Sequence, residues 1–139
     1  MGRINVKGVI VGGLVAGLVL NIIDFLVWGV WLKEDMAAAM QSAGKGPIDN
    51  LIPLFVLLDF IYGIALVQLY AAIRPRFGAG PGTAVKAGIY VWVLTGLLHA
   101  IGEAPMGLLP QRLYTIGCLV ALVAFPLAAV SGAKFYKET

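Results

Sequence analysis

Residues 6–32 read VKGVIVGGLVAGLVLNIIDFLVWGVWL, and the fold turns on this stretch. A helix needs about 20 predominantly apolar residues, at about 1.5 Å of rise each, to cross the hydrocarbon core of a bilayer. This run supplies them, with Lys7 at one end and Asp24 as its one acid. It is longer than the roughly 7–15 apolar residues of a signal peptide. It also ends on Trp28 and Trp31 where a cleavage site needs small residues. It reads as a retained first helix. Three further stretches match it, at about 51–73, 84–104 and 113–135.

The breaks between these stretches have their own chemistry. Residues 33–50 hold Lys33, Glu34, Asp35, Lys45, Gly46 and Pro47, and within them Asp35–Gln41 has the composition of a short surface helix. Residues 74–83, RPRFGAGPGT, are turn punctuation, with Thr83 placed to cap the next helix. The third break, 105–111, is short. Pro53 falls in the first turn of its span, and Pro126 should kink the fourth. The chain is 12% charged and 60% apolar, where a soluble domain carries about 25% charged residues. Its mean hydropathy is +0.94. In lipid only helices and closed barrels satisfy their own backbone groups, and these runs lack the alternation of barrel strands. The expectation is an all-α protein: a single integral membrane domain over 1–139, four transmembrane helices running up-down-up-down, both termini on one side.

Charge placement gives the sidedness. Arg3, Lys7, Arg74, Arg76, Lys86, Lys134 and Lys137 flank the two termini and the 74–86 junction, against Lys33, Lys45 and Arg112 in the other loops. Loops rich in Lys and Arg stay cytoplasmic, which predicts a multi-pass protein of a cell (inner) membrane with cytoplasmic N- and C-termini. Trp28, Trp31, Tyr114 and Tyr136 lie near helix ends, where interfacial aromatics belong.

The informative residues are the polar ones inside the spans. Ionisable groups in hydrocarbon are costly and face a bundle interior, a partner or water. Asp24, Asp59, His99 and Glu103 qualify, with Asn21, Tyr62 and Thr95 nearby. Gly13, Gly17, Asn21, Asp24, Trp28 and Trp31 follow one another at steps of three or four and share a helical face. Gly88, Trp92, Thr95, His99 and Glu103 do the same, as do Asp59, Tyr62 and Gly63. Glycines on polar stripes let backbones approach closely, so Gly13, Gly17, Gly63 and Gly88 mark the packed faces. Counted inward at about 1.5 Å per residue, Asp24 and Asp59 lie roughly 12–14 Å deep and His99 roughly 8 Å, with Glu103 near the boundary. The set therefore predicts one polar cluster in the outer half of the bilayer, made of the ligand- or proton-binding candidates Asn21, Asp24, Asp59, Tyr62, His99 and Glu103. Taken singly, each acid reads equally as interhelical hydrogen bonding.

His99 and Glu103, at i and i+4, have metal-ligand spacing, and with Asp24 and Asp59 they offer a mixed carboxylate–imidazole set. No recognised metal signature accompanies them, and no cofactor is identified. The repeats Gly8-x-x-x-Gly12 and Gly13-x-x-x-Gly17, and the Gly117, Ala121, Ala124, Ala128 stripe beside the lone Cys118, point to tight helix contacts. Gly78-x-Gly80 lacks the strand and Lys-Ser/Thr of a phosphate loop, and no catalytic triad, zinc signature or nucleic-acid patch is present.

The order GGLVAG (12–17) into Trp28 and Trp31, then LVQLY (66–70), then GLLPQRLY (107–114) and SGAKFY (131–136), resembles that of small uncharacterised bacterial four-helix membrane proteins, a domain of unknown function. The resemblance implies the fold and a bacterial inner membrane, and carries no activity. The sequence favours a non-catalytic membrane subunit or a ligand- or cofactor-binding protein, self-associated as a homo-oligomer or built into a larger membrane complex. The alternatives are proton-coupled small-solute transport by a dimer, with Asp24 and Asp59 as carriers and His99 as relay, and an intramembrane enzyme acting on a lipid or quinone.

Overall fold

The computed structural model describes residues 2–139. Four helices are long and apolar enough to cross a membrane: α1 (Val6–Trp31), α3 (Asp49–Phe77), α4 (Pro81–Met106) and α5 (Gln111–Ala133). Between the first two lies the short α2 (Lys33–Ser42), where the sequence places a surface helix. The chain is a multi-pass membrane protein, an antiparallel four-helix bundle. In it α1 packs on α3 and α5, and α4 on α5 and α3. Large apolar side chains such as Leu14, Leu18, Leu94, Leu119 and Val123 point outward, as lipid-facing positions require.

Asn5 opens α1 by accepting a hydrogen bond from the Gly8 N–H at 3.0 Å. The chain ends meet beside it. Asn5 Nδ2 donates to the Lys137 carbonyl at 2.9 Å, and the Thr139 hydroxyl to the Arg3 carbonyl at 3.4 Å. Arg74 reaches Glu138 at 3.7 Å and stands 5.7 Å from the Tyr136 ring.

This end of the bundle is closed, and glycine closes it. A Cβ on Gly13 would lie 2.5 Å from the Ile64 Cα, and one on Gly17 would lie 2.7 Å from the Phe60 Cα. A Cβ on Gly63 would run into the Gly13 carbonyl and the Gly17 nitrogen. The neighbouring Gly12 lies against Gly132 of α5, and Gly88 of α4 against the backbone of Pro126. The two glycine repeats of α1 thus serve two partners at once, Gly13 and Gly17 facing α3 and Gly12 facing α5. Around these contacts Ala16, Leu66, Val67, Tyr70, Ala87 and Ala128 are buried.

Three local features differ from the sequence reading. First, α3 continues through Pro75 to Phe77, with Gly78 (φ 84°) ending it. Proline near a helix C-terminus costs one bond in a turn whose neighbours are already unpaired. Second, Thr83 does not cap α4, which starts from Gly80 and Pro81. Its hydroxyl instead donates backwards to the Phe77 and Gly78 carbonyls, at 3.2 and 2.7 Å, satisfying the orphan acceptors at the end of α3. Third, α1 becomes π-helical over Phe25–Trp31 and α4 over Val93–Leu97. The wider turns end in bonds from Leu32 to Val27 and from Leu98 to Val93. They shift the helical register of the side chains that follow them. Trp31 accordingly leaves the Asp24 stripe and is 59% exposed.

Candidate functional site

Beyond its closed half the bundle opens. Past Trp92, α4 keeps its contact with α5 and parts from α3, leaving a cleft of about 360 Å³. Asp24 and Trp28 of α1 line it, with Asp59 and Tyr62 of α3, and Thr95, His99 and Glu103 of α4. All of these are predicted site residues or their named neighbours, and the structure brings them to one place from three helices. At the loop end Met36 of α2 and Leu109 roof the cleft, with Leu32, Ala39 and Leu113 buried behind them. Asp35 of α2 pairs with Arg112 at 3.2 Å and ties this roof to the start of α5.

Each member is held by its own local chemistry. Asp24 is the last α-helical residue of α1 before the π turns begin. Its carboxyl meets that of Asp59 within hydrogen-bonding reach, and each is the other's only side-chain hydrogen-bond partner. Two carboxyl groups in contact away from water need a proton or a cation between them, because like charges at that distance cannot both stand bare. Asn21 stands just off the cleft. Its amide donates to Gly17 of its own helix at 3.0 Å and to the Val56 carbonyl of α3 at 3.4 Å. It therefore acts as interhelical glue, holding α1 and α3 together one turn from the acids. Tyr62 packs against the Phe125 ring, 5.6 Å between centroids.

On α4 the π turns carry Thr95, whose hydroxyl donates to the Val91 carbonyl at 2.8 Å. His99 Nε2 and Glu103 Oε2 then lie 3.2 Å apart, as their spacing allows. The imidazole is 61% exposed at the cleft mouth. His99 thus lines the same cleft as the half-buried Asp24 and Asp59, at its exposed mouth. The mixed metal set does not form: among the described residues no three His, Cys, Asp or Glu side chains converge as metal ligands. His99 with Glu103 and Asp24 with Asp59 are two separate pairs in one cleft.

The sequence reading placed the fourth span in helix contacts alone, and the structure adds part of the cleft wall to it. Tyr114, Gly117, Cys118 and Ala121 of α5 form the back wall of the cleft. The Tyr114 hydroxyl is buried and makes no hydrogen bond of good geometry, with Glu103 and the Leu109 backbone beside it. A stripe of Tyr114, Gly117 and Ala121 at helical spacing was the available signal. Gly117 is where the Trp28 ring rests, 3.2 Å from an added Cβ, and Trp92 donates its indole N–H to the Cys118 carbonyl at 2.8 Å.

Set beside known proteins, the chain matches no family model, no curated protein and no solved structure.

Proposed function

We propose that this chain is a non-catalytic membrane-embedded binding protein whose cleft receives the polar group of a ligand, acting as a homo-oligomer or as a subunit of a larger membrane complex. The observation that carries this reading is the convergence of Asp24, Asp59, Tyr62, His99, Glu103 and Tyr114 on one cleft fed by all four spans. Six polar side chains gathered at membrane depth are far more than interhelical hydrogen bonding requires, since a single such bond is worth about 0.6–2 kcal/mol. Most of the wall is apolar, with the polar groups confined to a few points, which is the constitution of a small-molecule site. The excess of Lys and Arg at the termini and the 74–86 junction supports cytoplasmic ends in a cell membrane, the inner membrane if the resemblance to the bacterial four-helix proteins holds.

Native mass spectrometry of the chain purified in mild detergent tests the reading. The expected spectrum carries a bound small molecule or a second subunit, and Thr95→Trp, which fills the cleft mouth, removes the small molecule. A strict monomer with nothing bound refutes it.

The contact between the two carboxyls favours one second reading, proton-coupled transport by a dimer, in which the pair carries a proton and His99 relays it. Unchanged proton-linked flux in liposomes after Asp59→Asn would end that reading.

A further inference from the structure

If the cleft binds a ligand, as its proposed role requires, the chemistry of its wall selects which class. Three carboxyl side chains line the cleft, Asp24, Asp59 and Glu103, and among the described residues no lysine or arginine does. The one imidazole is already engaged by Glu103 at 3.2 Å. Asp24 and Asp59 have each other and no side-chain donor. The Tyr114 hydroxyl is buried on the wall formed by α5. An anionic ligand would meet carboxylates with no counter-charge. A purely apolar one would leave the acid pair without a counter-charge. A positive centre suits this wall, because it neutralises the acid pair and takes the face of an aromatic ring as well. Trp28, Tyr62 and Tyr114 present aromatic groups to the same cleft.

The route of entry sets the rest of the ligand. The gap opens sideways, where α4 leaves α3. Phe55 and Leu58, before Asp59 in sequence, and Leu94 and Leu98, on either side of the exposed Thr95, are all exposed to the apolar surroundings. A lipophilic cation reaches a gap of that kind directly from the bilayer. We infer that the cleft takes a lipophilic organic cation from the bilayer, an aryl- or alkyl-substituted onium ion, whose positive centre sits between the Asp24–Asp59 pair and the surrounding rings. A volume of about 360 Å³ lies at the small end of the range for ligand pockets, roughly 300–1,000 Å³, and suits a compact onium ion better than a two-chain phospholipid.

The test uses tetraphenylphosphonium as probe and tetraphenylborate, an anion of the same shape, as its control, in equilibrium dialysis against the purified full chain in mild detergent. The cation is expected to bind saturably and the anion not. Asp59→Asn and Asp24→Asn should each weaken the cation at least about tenfold while the protein stays monodisperse with its melting temperature kept. Asp59→Glu should retain binding. If the asparagine variants fail to fold, the two ions on the unmodified chain decide alone. Equal binding of both ions, or preference for the anion, overturns the cation class. It leaves the binding role standing if Thr95→Trp abolishes that binding. Binding of neither ion overturns the inference too, and the binding role is then judged separately by the co-purified mass that Thr95→Trp removes.

Discussion

The two halves of this bundle are built on opposite principles. Toward the chain ends, Gly12, Gly13, Gly17, Gly63, Gly88 and Gly132 bring backbones together until no side chain fits between them. Toward α2, two helices widen into π turns, α4 moves off α3, and acids, imidazole and phenol take the place of small residues. Lipid offers no hydrophobic drive for helices to associate, so packing and hydrogen bonds must do it. The closed half concentrates that packing and frees the open half to stay parted. Extra residues in a helix, such as π turns, recur at functional sites, and both here border the cleft.

Substitutions should sort by half. Gly63→Leu places a side chain into the α1 backbone, and Gly17→Leu places one against Phe60. Overpacking a tight site costs about 1–3 kcal/mol when the neighbours can move, and here the neighbours are backbone. Both variants should lose at least that much, seen as a fall in melting temperature in detergent and a broadened elution profile. Parent-like stability for Gly17→Leu would mean that this stripe faces lipid, and the convergence of Asp24 with Asp59 would lose its support. Asn21→Ala removes the amide that joins α1 to the Val56 carbonyl at the border of the halves. A loss of about 1 kcal/mol is expected, measured as a lower denaturation midpoint.

Gly102, in the open half, has nothing within 4 Å of an added Cβ. Gly102→Ala should therefore raise stability, by up to about 0.8 kcal/mol, from helix propensity alone. A drop would mean that α4 packs against something at that point. The smallest effect belongs to Arg112→Ala, which breaks the exposed pair with Asp35. Global stability should shift by about 0–1 kcal/mol, while amide exchange in α2 quickens. Unchanged exchange there would show that Leu32 and Ala39 hold the roof without the ion pair.

Much of the closed half was legible in the sequence, because its determinants are local. Length and apolarity give the spans, glycine spacing gives their contact faces, and both survive translation into structure wherever the helix is regular. Asp24 and Asp59 could be brought together on the same grounds, since both precede any widened turn in their helices. Past Phe25 spacing fails for Trp31, because a π turn adds a residue without any mark in the amino-acid types, whereas Thr95, His99 and Glu103 keep to the cleft. Trp31 turns outward for that reason. Tyr114 was passed over because a tyrosine near a helix end reads as an interfacial anchor, and only the cleft behind it shows its hydroxyl buried. Thr83 misled through its neighbours: Gly80 and Pro81 start the helix before it, so its hydroxyl serves the preceding one.

The meeting of the two chain ends makes the polypeptide almost a closed circuit. Asn5 and Lys137 are already joined by a bond of 2.9 Å, so a short flexible linker could replace the peptide ends. The circuit could then be cut at Gly78–Gly80, where the turn carries two glycines at positive φ. A chain permuted in this way would run α4, α5, α1, α3, and every span would still cross in its present direction. The cut would forfeit the bonds from Thr83 and from the Gly80 N–H to Tyr70, at about 1 kcal/mol each, and would leave the glycine contacts and the cleft untouched. A parent-like melting temperature for that chain would separate the order in which the helices are threaded into the bilayer from the architecture they reach.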